Sequence, residues 1–210
     1  MSAGCCNDTG NAAFDGMSAA YKRVLWAVIA INGAMFVVEM AAGLQAGSQA
    51  LQADALDFFG DTVTYAISLM VLGMAIRVRA TAALVKGLSL GVFGLYVLGS
   101  TLYHAIFIGQ PEPFTIGVVG ALALLANVVS AGLLYRFRNG DANVRSVWLC
   151  SRNDAIGNVA VIGAAGGVWL TGTAWPDLAV AAAMALLFLN GARQIVAQAL
   201  GEIRETRAVR

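Results

Sequence analysis

The fold is decided by apolar stretches such as residues 113–135, which read PFTIGVVGALALLANVVSAGLLY and contain no charged side chain. A helix needs about 20 predominantly apolar residues to cross the hydrocarbon core of a bilayer. Turn signals bound this stretch, with Pro111 and Pro113 at its start and Asn139-Gly140 after its end. The stretch therefore predicts a membrane-spanning helix.

Runs of similar length recur along the whole chain. They predict six transmembrane helices, near residues 24–44, 52–76, 82–108, 113–135, 144–171 and 175–198. Composition agrees, because 59% of the residues are hydrophobic and only 12% are charged, against about 25% charged in an ordinary soluble domain. We expect an all-α, polytopic membrane protein with a tail over 1–21, a six-helix transmembrane domain over 22–198 and a short tail over 199–210.

The basic residues indicate the orientation of these helices. They precede the first predicted helix, lie between the second and third and between the fourth and fifth, and follow the sixth: Lys22, Arg23, Arg77, Arg79, Lys86, Arg136, Arg138, Arg145, Arg193, Arg204, Arg207 and Arg210. The positive-inside rule then predicts that both termini are cytoplasmic. Residues 1–21 contain no lysine, no arginine and no long apolar core, so we expect the first helix to act as the insertion signal.

Charge and cysteine content exclude other classes of protein. The net charge of +1 provides no basic face for nucleic acid. Cys5 and Cys6 are adjacent, and Cys150 lies in an apolar run, so no disulfide framework is indicated. Cys5 and Cys6, with Asp8 nearby, form a candidate accessory site for a thiophilic metal, and a tail with incidental thiols is the alternative.

Acidic side chains and one cysteine interrupt two of the predicted helices. Asp54, Asp57 and Asp61 lie in the second, and Cys150 and Asp154 lie in the fifth. An ionisable group at bilayer depth is unfavourable by about 2.5 to 3.5 kcal/mol, so it needs a partner, a cavity or a function. Residues four apart project from one helix face within about 6 Å. The pairs 57/61 and 150/154 therefore each share a face.

Two facing helices would then supply four donors, the number that a tetrahedral divalent metal takes. Carboxylate oxygen and thiolate sulfur both suit zinc, and sulfur favours softer ions. Without metal, crowded acids hold protons, which makes exchange of metal for protons a natural coupling. The alternatives are that Asp54 and Asp57 are solvated near the membrane surface, and that Cys150 is a small packing residue.

Further polar residues are candidates for an accessory role. Glu39 and Asn32 lie seven apart in the first predicted helix, where they line a polar path or hydrogen-bond neighbouring helices. Arg152 points away from the face of Cys150 and Asp154, and we expect it to pair with Glu39 or Asp54 as a structural tie. The single histidine, His104, is expected at the membrane interface.

These residues, together with their neighbours, resemble the cation diffusion facilitator family over about residues 20–200. The resemblance runs through Asn32, Phe36, Glu39, Gly43, Ser48, Ala50, Leu51, Ala53-Asp54-Ala55, Pro111-Glu112-Pro113, Asn127, Arg145, Asp154-Ala155 and, more loosely, Trp175-Pro176-Asp177. It implies a six-span exporter of divalent metals that works by proton antiport. The expected substrates are Zn²⁺ or Cd²⁺, with no cofactor, in the cytoplasmic membrane of a bacterium.

The resemblance also assigns residues. The family builds its transport site from a histidine or aspartate and an aspartate four residues on, in the second and fifth helices. Here those positions are Asp57 and Asp61, and Cys150 and Asp154. Members commonly carry a cytoplasmic domain after the sixth helix, whereas this sequence ends at Arg210, so we expect a homodimer held by its membrane helices.

Two other classes of function fit less well. An intramembrane aspartyl protease is expected to show Gly-x-Gly-Asp, but the sequence has Phe58-Phe59-Gly60-Asp61, so we do not expect an enzyme. A membrane metal sensor, or a non-transporting subunit of a larger membrane complex, stays open as the alternative. Metal flux through the isolated protein would distinguish it from an exporter.

Overall fold

The computed structural model describes residues 19–70, 76–107, 109–138 and 142–208. These ranges form six α-helices and no strand: α1 (Ala19–Ala46), α2 (Gln49–Met70), α3 (Ile76–Phe107), α4 (Pro113–Leu134), α5 (Ala142–Thr171) and α6 (Trp175–Ala208). A short 3-10 turn, Tyr135–Phe137, follows α4. The predicted all-α fold is confirmed.

Five of the six helices are long and apolar enough to cross a membrane. Within the described ranges these candidate spans are Ala19–Ala46, Ala80–Phe107, Pro113–Phe137, Val147–Thr171 and Trp175–Arg204. The helix outside this set is α2, because Asp54, Asp57 and Asp61 interrupt its apolar sequence. The sixth span therefore stays a prediction.

Large apolar side chains cover much of the outer surface of the helix bundle. Leu95 of α3, Leu125 of α4 and Leu186 of α6 are 63%, 58% and 61% exposed. Exposed apolar surface on this scale is unfavourable in water and favourable against lipid chains. Together with the five apolar helices, it makes this an integral membrane protein.

Two tight turns connect neighbouring helices, and each needs a glycine. Gly47, between α1 and α2, has φ of 68°, and Gly172, between α5 and α6, has φ of 64°. A side chain at positive φ is disfavoured, whereas glycine adopts it freely. Both turns therefore lie where the sequence predicted breaks between helices.

Small residues set the closest helix contacts. A Cβ added at Gly94 of α3 would lie 2.8 Å from Cγ of Leu189 in α6, and one added at Gly43 of α1 would lie 3.0 Å from Cγ of Gln52 in α2. The most extensive packing is between α3 and α6, followed by α4 with α5 and α1 with α2. Glycine permits these approaches because helices in lipid associate by close packing.

Several basic residues lie within helices, although the sequence pattern assigned them to connections. Lys86 lies inside α3, more than two turns from its start, and Arg193 lies inside α6. Long basic side chains cover apolar helix surface while their charged ends reach toward polar surroundings. At the carboxyl end α6 continues to Ala208, so most of the predicted tail over 199–210 is helical.

Candidate functional site

Asp54, Asp57 and Asp61 form an acidic row along α2. Asp54 is only 2% exposed, while Asp57 and Asp61 are half-buried. The alternative that Asp54 is merely solvated is therefore wrong. Because α2 rises about 1.5 Å per residue, the row extends over about 10 Å from Asp54 to Asp61.

Asp61 of α2 interacts with side chains of two other helices, α3 and α5. The hydroxyl of Tyr65, one turn along α2, donates a hydrogen bond to Oδ2 of Asp61. The Asp61 carboxyl also interacts with Asp154 of α5 and with the charge of Lys86 in α3. The structure therefore brings together Asp61 and Asp154, one residue from each predicted pair.

Cys150 lies in a different environment from the two aspartates. Its side chain is 5% exposed and packs in an apolar cluster that contains Tyr21, Leu25, Val28, Ile29, Tyr65, Leu134 and Val147. Tyr65 joins the two environments, since its ring belongs to this cluster while its hydroxyl binds Asp61. Tyr65 thus links the apolar cluster around Cys150 to the acidic row of α2.

The described ranges contain no group of three or more His, Cys, Asp or Glu side chains placed to hold a metal ion. Asp57 lies within electrostatic range of the Glu39 carboxyl in α1. The four-ligand site of Asp57, Asp61, Cys150 and Asp154 therefore stays a prediction. Cys5 and Cys6 lie outside the described residues.

Glu39 and Asp54 face each other across the α1–α2 interface. Glu39 is 0% exposed, and its carboxyl interacts with that of Asp54. No N–H or hydroxyl group of the described residues donates to either oxygen of Glu39 or to Oδ2 of Asp54, so the contact between the two carboxyl groups is the polar contact that Glu39 makes. This pair is the most deeply buried acidic contact in the described part of the bundle.

The expected tie between Arg152 and these acids is wrong. Arg152 is exposed, and its guanidinium donates to Oδ1 of Asn153 at 3.0 Å while its Cζ lies 5.5 Å from the centre of the Trp148 ring. An arginine on a span can extend its long side chain toward the interface instead of burying its charge. Glu39 and Asp54 are therefore left without this guanidinium.

The amino end of α2 carries a complete polar network centred on Asp177 of α6. The hydroxyl of Ser48 donates to Oδ1 of Asp177 at 2.5 Å, and the backbone N–H of Gln49 donates to Oδ2 at 2.7 Å. The N–H of Ala50 also points at this carboxylate, at 3.3 Å. Since the first N–H groups of a helix lack partners within it, Asp177 caps α2 from another helix.

The same network extends to α3 through Gln49. The hydroxyl of Ser100 donates to Oε1 of Gln49 at 2.5 Å, and Nε2 of Gln49 lies 3.1 Å from Nε2 of His104. Nδ1 of His104 lies 2.9 Å from the carbonyl oxygen of Ser100, so Nδ1 carries the hydrogen and Nε2 accepts. His104 is a half-buried link between α2 and α3, where the sequence predicted an interfacial residue.

The roles of three residues in this region were not predicted from the sequence. Tyr65 carries a signal that could have revealed it, because it lies four residues after Asp61 on the same helix face. Lys86 carries a weaker one, as a lone lysine within an apolar helix. Asp177 lies far from α2 in sequence, so nothing local indicates its role as a cap.

A helical membrane protein with acidic side chains buried between its helices is the class that the fold and the site define. The chain matches the cation efflux transmembrane domain family over residues 25–203. It belongs to this family, and the resemblance to cation diffusion facilitators predicted from its motifs is confirmed.

Similar proteins come from several bacteria. The metal cation efflux system protein CzcD of Cupriavidus metallidurans is 29% identical over 180 residues, which cover 80% of this chain and 57% of CzcD. The zinc transporter ZitB of Escherichia coli is 26% identical over 200 residues, which cover 88% of this chain and 63% of ZitB. The cadmium, cobalt and zinc/H(+)-K(+) antiporter of Bacillus velezensis is 26% identical, with the same coverages. The chain thus spans 57% to 63% of the length of these relatives.

Proposed function

We propose that the protein exports divalent metal cations from the cytoplasm, with Zn²⁺ and Cd²⁺ as substrates, in exchange for protons. The observation that carries the proposal is the contact of Asp61 with Asp154 between α2 and α5 of an apolar helix bundle. Carboxylates buried in a membrane protein mark ion pathways. The names of CzcD, ZitB and the antiporter of Bacillus velezensis support a metal substrate.

The proposed transport site consists of Asp57, Asp61, Cys150 and Asp154. Asp61 and Asp154 form its centre, and a one-turn separation on each helix adds Asp57 and Cys150. Bound metal would replace the hydrogen bond from Tyr65 as the partner of Asp61. Because ligands must lose their protons to bind metal, metal uptake and proton release are coupled at this site.

The proposed arrangement in the membrane has all six helices spanning and both termini in the cytoplasm, in the cytoplasmic membrane of a bacterium. Basic residues near the cytoplasmic ends of the helices support this orientation. The working unit is proposed to be a homodimer, as the family resemblance implies. Residues 1–21 are proposed to be a cytoplasmic tail, and the six-helix transmembrane domain is proposed to extend over 22–198.

Metal flux into proteoliposomes tests the proposed function. Asp61→Asn and Asp154→Asn should each lower Zn²⁺ flux under a pH gradient at least tenfold, because each removes an anionic ligand with little change in shape. Glu112→Gln is the matched control, since it neutralises an exposed acid outside the helices. Wild-type flux in both site variants would exclude the site, and metal binding without any flux would favour a sensor or a subunit of a larger complex.

The sulfur of Cys150 makes a further test of the ligand set. Thiolate gains more from cadmium than from zinc, relative to an oxygen or nitrogen donor. Cys150→His should therefore shift competition binding from Cd²⁺ toward Zn²⁺ by at least tenfold. An unchanged Cd²⁺/Zn²⁺ ratio would leave Cys150 as a packing residue of the apolar cluster around Tyr65.

A further inference from the structure

Among the acidic side chains that the structure describes, Glu39 is the one whose two carboxyl oxygens are both buried without an N–H or hydroxyl donor. Its side chain as a whole is fully buried. It comes from α1, whereas the acidic row belongs to α2. A second helix therefore directs a carboxyl without such a donor at the end of the row, toward Asp54.

Close packing encloses this pair. Phe36 of α1 and Phe59 of α2 are in ring contact, with centroids 4.9 Å apart, and Gly43 allows α1 to approach Gln52. The amide of Gln52 donates to the Ser48 carbonyl at 3.1 Å, so it is engaged elsewhere. No lysine or arginine of the described ranges hydrogen-bonds to either oxygen of Glu39.

The position of the pair relates it to the transport site. Asp54 lies seven residues before Asp61, about 10 Å along the helix, on the side of the capped end of α2. An ion that leaves Asp61 and Asp154 toward that end meets Asp57 and then the Glu39–Asp54 pair. Acidic oxygens repeat along this line with no basic side chain bonded to Glu39.

Two carboxyl groups buried against each other, with no N–H or hydroxyl donor at Glu39, have little compensation for their lost hydration beyond a proton that they share. A divalent cation supplies this compensation, because carboxylate oxygens coordinate such ions directly. We propose that Glu39 and Asp54 form a second divalent-cation site, which an exported ion occupies between the transport site and the capped end of α2. The inference rests on the proposed function, since it places this site on the same route.

Equilibrium binding of Cd²⁺ to the purified full chain in detergent tests the proposal. The background is the variant Cys5→Ser, Cys6→Ser, Asp61→Asn, Asp154→Asn, which removes the tail thiols and the centre of the transport site. We expect this background to retain a weaker class of bound Cd²⁺. Adding Glu39→Gln or Asp54→Asn should weaken that class at least tenfold, while adding the control Glu112→Gln should leave it within twofold.

Transport provides the second measurement. Glu39→Gln in the otherwise unchanged chain should lower Cd²⁺ flux at least tenfold, while Cd²⁺ affinity at the transport site stays within twofold. Circular dichroism and gel filtration of each variant show that it is folded. A folded background that binds no Cd²⁺, or residual binding that Glu39→Gln and Asp54→Asn leave unchanged, would overturn the second site.

The two proposals fail in different ways. If the second site is wrong and the export function is right, Asp61→Asn and Asp154→Asn still lower flux at least tenfold, and Glu39→Gln does not. If the export function is wrong, the wild-type chain moves no metal, whatever the binding stoichiometry of the Glu39–Asp54 pair.

Discussion

The buried acidic groups at two positions along α2 differ in their hydrogen bonding. At its amino end, Asp177 is 1% exposed, and its carboxylate accepts from Ser48, Gln49 and Ala50. Less than two turns further along, Asp54 is equally buried, yet one of its oxygens has no partner in the described structure. A satisfied polar group stabilises a bundle, whereas an unsatisfied one persists where an ion or proton is handled.

The largest expected effect on stability comes from removing the Asp177 carboxylate at the amino end of α2. Asp177→Ala leaves the Ser48 hydroxyl and two backbone N–H groups of α2 without an acceptor, which should lower the free energy of unfolding by about 3 kcal/mol. Thermal unfolding in detergent measures it. Asp177→Asn retains one carbonyl acceptor, so about half the loss is expected. Wild-type stability in Asp177→Ala would remove the contrast between the two parts of α2.

Removing the buried carboxyl of Glu39 should have the opposite effect on stability. Glu39→Met keeps a side chain of similar length and removes this carboxyl, so stability should stay unchanged or rise by about 1 to 2 kcal/mol. Flux should nevertheless fall at least tenfold, as expected where a functional site is held at the expense of stability. The same unfolding assay applies. A clear loss of stability would show that Glu39 is a structural group.

Ser100 tests how far the satisfied network extends. Ser100→Ala removes the hydroxyl that donates to Oε1 of Gln49, and we expect a loss of about 1 kcal/mol. The control is Ser89→Ala, because the exposed Ser89 bonds only within its own helix, to the Val85 carbonyl. A double-mutant cycle with Gln49→Ala measures the coupling. Additive losses would show that Gln49 and Ser100 act independently.

The smallest effect is expected at an exposed cap. Glu112 accepts from the N–H groups of Phe114 and Thr115 at the start of α4. Hydrogen bonds from Thr115 lower the pKa of Glu112 below its ordinary value. Glu112→Ala should lower stability by about 0.5 kcal/mol, far less than Asp177→Ala, because water replaces the lost acceptor at an exposed site.

The pH dependence of this cap has a definite sign. A carboxyl whose pKa is lowered in the folded state stabilises that state above its unfolded pKa, which is about 4.3 for glutamate. The contribution is lost as the pH falls through the lowered folded value. The difference in stability between the wild type and Glu112→Ala should therefore shrink below about pH 4. A difference that grows on acidification would contradict the cap.

The sequence predicted most of the helices because hydropathy and turn residues are local signals. Residues 113–135 were expected as a helix, and α4 runs from Pro113 to Leu134, since Pro113 suits a first helical turn and Glu112 provides a cap. The second helix was expected to begin near 52 but begins at Gln49. Its start depends on Asp177 from a distant part of the chain, which no local pattern encodes.

The candidate site was less accessible from sequence. The spacing of four residues placed Asp57 and Asp61 on one face, and the apolar context of α2 indicated that burial would matter. Spacing within one helix says nothing about the rotation of two helices against each other. That rotation brings Asp61 to Asp154 and places Cys150 among apolar side chains. The exposure of Arg152 likewise depends on the freedom of a long side chain to extend along the helix surface.

The burial of Cys150 also has a kinetic consequence. A thiol that is 5% exposed within an apolar cluster is slow to meet a reagent dissolved in water. In a chain whose Cys5 and Cys6 are replaced by serine, the rate at which a polar maleimide modifies Cys150 reports how often α1, α2 and α5 separate around Tyr65. The modification rate of Cys150 therefore measures how often this part of the bundle opens.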